Sequence, residues 1–141
     1  MDIRPLTDSY AVSPQIAPED VAAIADAGYT TVICNRPDGE IPPEIRAAEL
    51  RKAVEAAGLR FVLNPVIGGA ITMENVEAQG AALRDSDGPV LAYCASGNRS
   101  SIVWALSQAG QRPTDELVAA PARYGYALEP FRGTIDQLAQ G

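Results

Sequence analysis

Three short apolar runs, Thr30-Thr31-Val32-Ile33-Cys34, Phe61-Val62-Leu63 and Pro89-Val90-Leu91-Ala92-Tyr93, alternate along the chain with longer segments of helical apolar spacing. Runs of that length, rich in β-branched and aromatic residues, suit strands covered on both faces, the condition of a parallel sheet with crossover helices. The chain is therefore constrained to an α/β fold: one mainly parallel sheet of four to five strands with helices on both faces. Its 141 residues are read as a single domain spanning 1–141, large enough to bury a core without disulfides or metals.

Around those strands the punctuation is regular. Ile3-Arg4-Pro5-Leu6 and Tyr10-Ala11-Val12-Ser13 read as a hairpin or two edge strands, and Pro18, Glu19 and Asp20 open a helix that Gly28 ends, completing a first β-α-β unit. Residues 43–57 predict a helix closed by Gly58, Thr72 caps another that runs through Leu83, and 99–109, 113–124 and 129–139 supply the remaining helices. Ligands of such sheets bind at the carboxyl ends of the strands. Residues 35–40, 66–71 and 94–99 all fall at that edge.

Composition removes whole classes of chemistry. The formal charge is −7, which disfavours nucleic acid and anionic membrane as partners, and no apolar stretch approaches a membrane span. There is no histidine, which excludes Cys-His dyads, Ser-His-Asp triads and histidine metal sites. Two cysteines are too few for a zinc site, so neither metal nor organic cofactor is expected. Met1-Asp2-Ile3-Arg4-Pro5 lacks the basic and apolar regions of a secretory signal, which predicts a cytoplasmic protein with free thiols.

The chemistry concentrates in Cys94-Ala95-Ser96-Gly97-Asn98-Arg99-Ser100, which follows a strand and opens a helix. Loop N–H groups, the positive end of the helix dipole and a guanidinium would surround the thiol, a setting that favours a nucleophilic thiolate. Cys94 and Arg99 are thus the expected catalytic residues, with Ala95, Ser96, Gly97, Asn98 and Ser100 lining the anion cradle and the Ser100 hydroxyl assisting the thiolate. Cysteine-dependent phosphatases place histidine before the cysteine and five residues between cysteine and arginine. Here Tyr93 precedes Cys94 and four residues intervene, so the loop resembles that of rhodanese sulfurtransferases. The order of the chain, with Asn35-Arg36-Pro37-Asp38-Gly39-Glu40 upstream and helices after the cysteine loop, resembles the beta-lactamase-hydrolase-like, phosphatase-like family over residues 2 to about 110. That resemblance implies a dual-specificity-phosphatase-like fold carrying a rhodanese-sized loop.

Loop size selects among substrates. A phosphatase cup must surround three equatorial oxygens and leave an in-line path for sulfur; one residue fewer narrows it toward the terminal sulfur of a persulfide. The segment 66–72, where a proton-donating aspartate would be sought, contains no acid, and Asp38 and Glu40 are the carboxylates of another rim loop. The expected function is sulfur transfer, with a Cys94 persulfide formed from thiosulfate, polysulfide or a persulfide and passed to a thiol, an acceptor protein or cyanide. The alternatives are a phosphatase using a phosphocysteine, with Asp38 or Glu40 as acid, and a non-catalytic anion- or persulfide-binding module. Arg36, Asp38 and Glu40 also read simply as a turn. Cys34 reads as a core thiol, with a resolving role for Cys94 as the sharper alternative, and Tyr93 and Trp104 as core aromatics.

Overall fold

The cysteine-bearing strand lies at the centre of the sheet, and everything around the site follows from that placement. A computed structural model describes residues 2–141. Strands β1 (Arg4–Pro5), β2 (Tyr10–Ser13), β3 (Thr31–Cys34), β4 (Arg60–Leu63) and β5 (Val90–Tyr93) are ordered β1-β2-β5-β3-β4. β1 runs antiparallel to β2 and closes the expected hairpin, whereas all other neighbours are parallel. Because β5 pairs with both β2 and β3, the two strands of the first β-α-β unit share the sheet without touching.

Side chains alternate across the sheet and sort into two cores. On one face Val32, Cys34, Leu91 and Tyr93 pack with α1 (Val21–Asp26) and α2 (Ala47–Ala56), through Ile24, Leu50 and Val54. On the other, Val12, Ile33, Val90 and Ala92 meet α3 (Met73–Asp85), α4 (Asn98–Ser107), α5 (Thr114–Ala122) and α6 (Arg132–Gln140). α4 is buried on nearly all sides, which explains its Ile102-Val103-Trp104-Ala105-Leu106 run, and Trp104 stacks on Tyr10 with ring centroids 5.6 Å apart.

Local chemistry adjusts several expected boundaries. The helix expected over 43–57 is divided: Pro43–Ile45 form a 3₁₀ turn, Arg46 is extended (φ −67°, ψ 164°), and α2 starts at Ala47. The Asp38 carboxylate accepts from the Ala47 N–H at 2.9 Å, so an acid from a distant loop caps the helix. Pro18–Asp20 and Glu129–Phe131 are likewise 3₁₀ turns leading into α1 and α6. Pro113 is the residue before α5 rather than its first member, and α4 begins one residue earlier than expected, at Asn98. Thr72 caps α3 as the sequence predicts, accepting from Asn75 N–H at 3.1 Å.

Candidate active site

β5 delivers Cys94 to the carboxyl edge of the sheet, where it is fully buried at the base of the loop. The loop then turns through Gly97, whose left-handed backbone (φ +98°, ψ −7°) side-chain-bearing residues rarely adopt. A Cβ at this position would also collide with the Tyr126 phenol. With that turn made, the Gly97 N–H donates to Cys94 Sγ at 3.1 Å. α4 starts at the next residue and directs the positive end of its dipole toward the same place. The result is a sulfur facing a backbone donor and a helix N-terminus.

Arg99 stands at the first turn of α4 and is held from outside the loop. Its Nη1 donates to Glu40 Oε2 at 2.9 Å and to Val66 O at 2.8 Å, while Nη2 donates to Glu40 Oε1 at 2.8 Å. Arg36 backs the same carboxylate, its Nε donating to Glu40 Oε1 at 3.4 Å, while its Nη2 donates to the Glu40 backbone carbonyl at 3.1 Å and its Nη1 to Gln15 Oε1 at 3.2 Å. Gln15 N–H in turn donates to Ala95 O, which ties this cluster to the cysteine loop. The Arg99 bonds hold the Glu40 carboxyl below its ordinary value, with Arg36 assisting. The Glu40 carboxylate, and then the Cys94 sulfur, raise the Arg99 guanidinium above its own.

Beneath the loop lies a buried polar network. Ser100 Oγ donates to Asn35 Oδ1 at 2.9 Å, and Asn35 Nδ2 donates to Asn64 O and Gln79 Oε1, each at 2.9 Å. Gln79 Nε2 donates to the Tyr10 hydroxyl at 2.9 Å, and that hydroxyl donates to Ser100 O at 2.9 Å. Five residues from β2, α3, α4 and the ends of β3 and β4 are thus joined around the first turn of α4. Networks so fully paired in a low-dielectric interior fix one geometry.

The structure gathers the residues expected of the site with three changes of role. Cys94, Gly97 and Arg99 converge, and Ala95, Ser96, Asn98 and Ser100 belong to the same turn, with Asn98 N–H taken by Ser96 Oγ at 3.2 Å. The Ser100 hydroxyl is turned to Asn35 rather than to Cys94, so the expected hydroxyl assistance to the thiolate is replaced by anchoring of α4. Asp38 and Glu40 do come from the rim loop, but Asp38 is spent on the α2 cap and Glu40 on Arg99. Among the described residues no three of His, Cys, Asp or Glu come together as a metal-ligand set. Tyr10, Gln15, Asn35, Asn64, Gln79 and Tyr126 were not singled out from the sequence. Three left a signal there: Asn35 directly follows the buried strand β3, Asn64 directly follows β4, and Gln79 interrupts the apolar stripe of α3.

A central strand leading into a buried cysteine, a glycine turn and an arginine on the following helix define a phosphatase-like α/β protein. Residues 2–111 match the family described as "Beta-lactamase hydrolase-like protein, phosphatase-like domain", and the chain belongs to that family. It is 33% identical over 130 residues to a beta-lactamase hydrolase-like protein of Xylella fastidiosa, covering 91% of this chain and 30% of that one. A namesake from Agrobacterium fabrum is 32% identical over 101 residues, covering 72% and 23%. The chain thus spans less than a third of the length of these relatives. Among solved structures it resembles a "putative phosphatase" from Neisseria meningitidis, with TM-score 0.83, 34% identity and 98% and 99% of the two chains covered. No helix of the described residues is long and apolar enough to cross a membrane.

Proposed function

We propose that this chain is a cysteine-dependent phosphatase-like enzyme whose substrates are small anions with leaving groups that depart without protonation. The observation that carries the proposal is the Gly97 N–H on Cys94 Sγ beside Arg99, combined with the engagement of both rim carboxylates. A thiolate at the base of this turn attacks phosphorus, the phosphorus–oxygen bond of the leaving group breaks, and water later releases phosphate from the phosphocysteine. Arg99 and the loop N–H groups neutralise charge on the transferred group. Glu40, held below its ordinary carboxyl value by Arg99, is ionised at neutral pH and supplies no proton. Aryl phosphates with acidic phenols, acyl phosphates and phosphoanhydrides meet this restriction; alkyl phosphates do not. Membership of the phosphatase-like family supports phosphorus as the centre attacked.

A second reading rests on the loop itself. Four residues between Cys94 and Arg99 make a cup suited to one terminal atom, and sulfur transfer from thiosulfate needs no acid because sulfite leaves as an anion. In this reaction the Cys94 thiolate takes the outer sulfur as a persulfide, and an acceptor thiolate then removes it. Both readings are resolved on one preparation by comparing hydrolysis of p-nitrophenyl and alkyl phosphates with thiosulfate-to-thiol sulfur transfer. The expected result is turnover of the aryl phosphate, none of the alkyl phosphate, and complete loss in Cys94→Ser. Sulfur transfer alone, with one sulfur added to the protein by mass spectrometry, would replace the first reading with the second. Efficient alkyl-phosphate hydrolysis would overturn the absence of an acid, and no turnover of either kind would leave an anion-binding module.

A further inference from the structure

One peptide unit of the cysteine loop carries two opposed hydrogen bonds. Its N–H, on Gly97, donates to Cys94 Sγ at 3.1 Å, and its C=O, on Ser96, accepts from the Tyr126 hydroxyl at 2.6 Å. In a trans peptide these groups point in opposite directions, so a donor that fixes the oxygen on one side fixes the N–H on the other. The Tyr126 hydroxyl accepts in its turn from Arg4 Nη1 at 2.6 Å, and the Arg4 guanidinium lies 5.6 Å from the phenol centroid. Arg4 is itself paired with Asp2. Tyr126 is buried, and it belongs to the segment after α5, beyond residues 2–111 that match the family.

We propose that Tyr126, braced by Arg4, is a positioning residue that sets the Ser96–Gly97 peptide plane so that its N–H faces the Cys94 sulfur. This inference rests on Cys94 being the nucleophile. Its need follows from the glycine: Gly97 is the least restricted residue in the loop, and a peptide preceding glycine can rotate at little steric cost. Rotation would turn the Ser96 oxygen toward the sulfur, replacing a donor with a partial negative charge where the thiolate and substrate anion require the reverse. Tyr126 prevents this by holding the oxygen, and its phenol also fills the space that a side chain at position 97 would enter, which keeps that position a glycine. The chain from Arg4 through phenol and peptide to sulfur is continuous, so the cation polarises each bond toward the thiolate. The other charged or titratable groups around Cys94 are Arg99 with Glu40 behind it, Tyr10 and Cys34.

The test is the pH dependence of Cys94 alkylation by iodoacetamide, resolved from Cys34 by peptide mass mapping, which needs no substrate. Tyr126→Phe keeps the ring and deletes both hydroxyl bonds. It is expected to slow Cys94 alkylation at neutral pH about fivefold, the loss of roughly one hydrogen bond, and to move the profile to higher pH. Arg4→Met leaves the phenol in place and is expected to give a smaller change in the same direction, which keeps the proposal testable if Tyr126→Phe folds poorly. Tyr124→Phe is the control: its hydroxyl donates to Pro5 O at 2.9 Å in the same region, and its profile should match wild type. Folded Tyr126→Phe with a wild-type profile, or an equal shift in Tyr124→Phe, would overturn the proposal. Failure of both the phosphate and the sulfur assays would sink the proposed function and leave this readout intact.

Discussion

Cys34 and Cys94 stand at the carboxyl ends of neighbouring parallel strands, both fully buried and both free thiols, yet their surroundings are opposite in sign. Cys94 Sγ receives an N–H from Gly97. Cys34 Sγ donates to the Arg36 carbonyl at 3.4 Å and lies beside the Tyr93 hydroxyl, which has no hydrogen-bond partner among the described residues. Burial pushes the Cys34 thiol up, and it pushes the Tyr93 phenol up as well. A thiol that must donate to a carbonyl is stabilised as a thiol, while one that accepts from an N–H is stabilised as a thiolate. Burial and strand position are shared, so reactivity is decided by which end of a peptide the following loop presents. At Cys94 the left-handed glycine presents the N–H; after Cys34, Asn35-Arg36-Pro37 presents a C=O.

The comparison is most directly broken by labelling. In the native protein near pH 7, iodoacetamide is expected to modify Cys94 at least about tenfold faster than Cys34, since the Cys94 sulfur accepts from a backbone N–H while burial pushes the Cys34 thiol up. Site-resolved mass spectrometry over a time course reads the ratio. Equal rates would show that burial, not the loop, governs both thiols.

How much of this was readable beforehand differs between the two thiols and their supports. The alternation of strand and helix, the placement of Cys94 and Arg99 at the carboxyl edge, and the glycine turn all follow from local pattern, because each depends on residues close in sequence. The partners of those residues do not. Glu40 meets Arg99 across 59 positions, Tyr10 meets Ser100 across 90, and Arg4 meets Tyr126 across 122, and nothing in spacing or propensity encodes such pairings. Asp38 illustrates the cost: as a carboxylate in a rim loop it reads as a candidate acid, but tertiary folding brings the Ala47 N–H to it and makes it a cap. Gln79 and Asn35 were detectable only as polar residues where the pattern called for apolar ones, which identifies a buried network without naming its members.

Asn35 sharpens the contrast, because it follows Cys34 directly in the chain but serves the Cys94 side. Its side chain accepts from Ser100 Oγ and donates to Asn64 O and Gln79 Oε1, all in the buried network. Asn35→Ala strands the Ser100 hydroxyl and the Asn64 carbonyl, while Gln79 Oε1 keeps its bond from Asn64 Nδ2, and is expected to cost about 2–3 kcal/mol, measured by urea unfolding. It should also slow Cys94 alkylation, since the first turn of α4 loses its anchor, while Cys34 alkylation rises only through global loosening. A loss of stability below about 1 kcal/mol would mean that water or side-chain rearrangement satisfies the network without it.

The smallest expected effect lies on the pH axis and concerns Cys34. Its thiol is raised above the ordinary value of 9.0 by burial, which outweighs the lowering contact from Tyr93. The folded state therefore holds the proton more tightly than the unfolded chain. The associated stability is fully present below the ordinary thiol value and is lost as pH rises through it toward the folded value. Wild-type unfolding free energy should accordingly fall more steeply above about pH 9 than that of Cys34→Ala, whereas the two slopes should coincide from pH 6 to 8. Cavity formation lowers the Cys34→Ala curve as a whole, so the slope, not the level, carries the information. Parallel slopes through pH 10 would show that Cys34 ionises as readily folded as unfolded, and the difference between the two thiols would then rest on Cys94 alone.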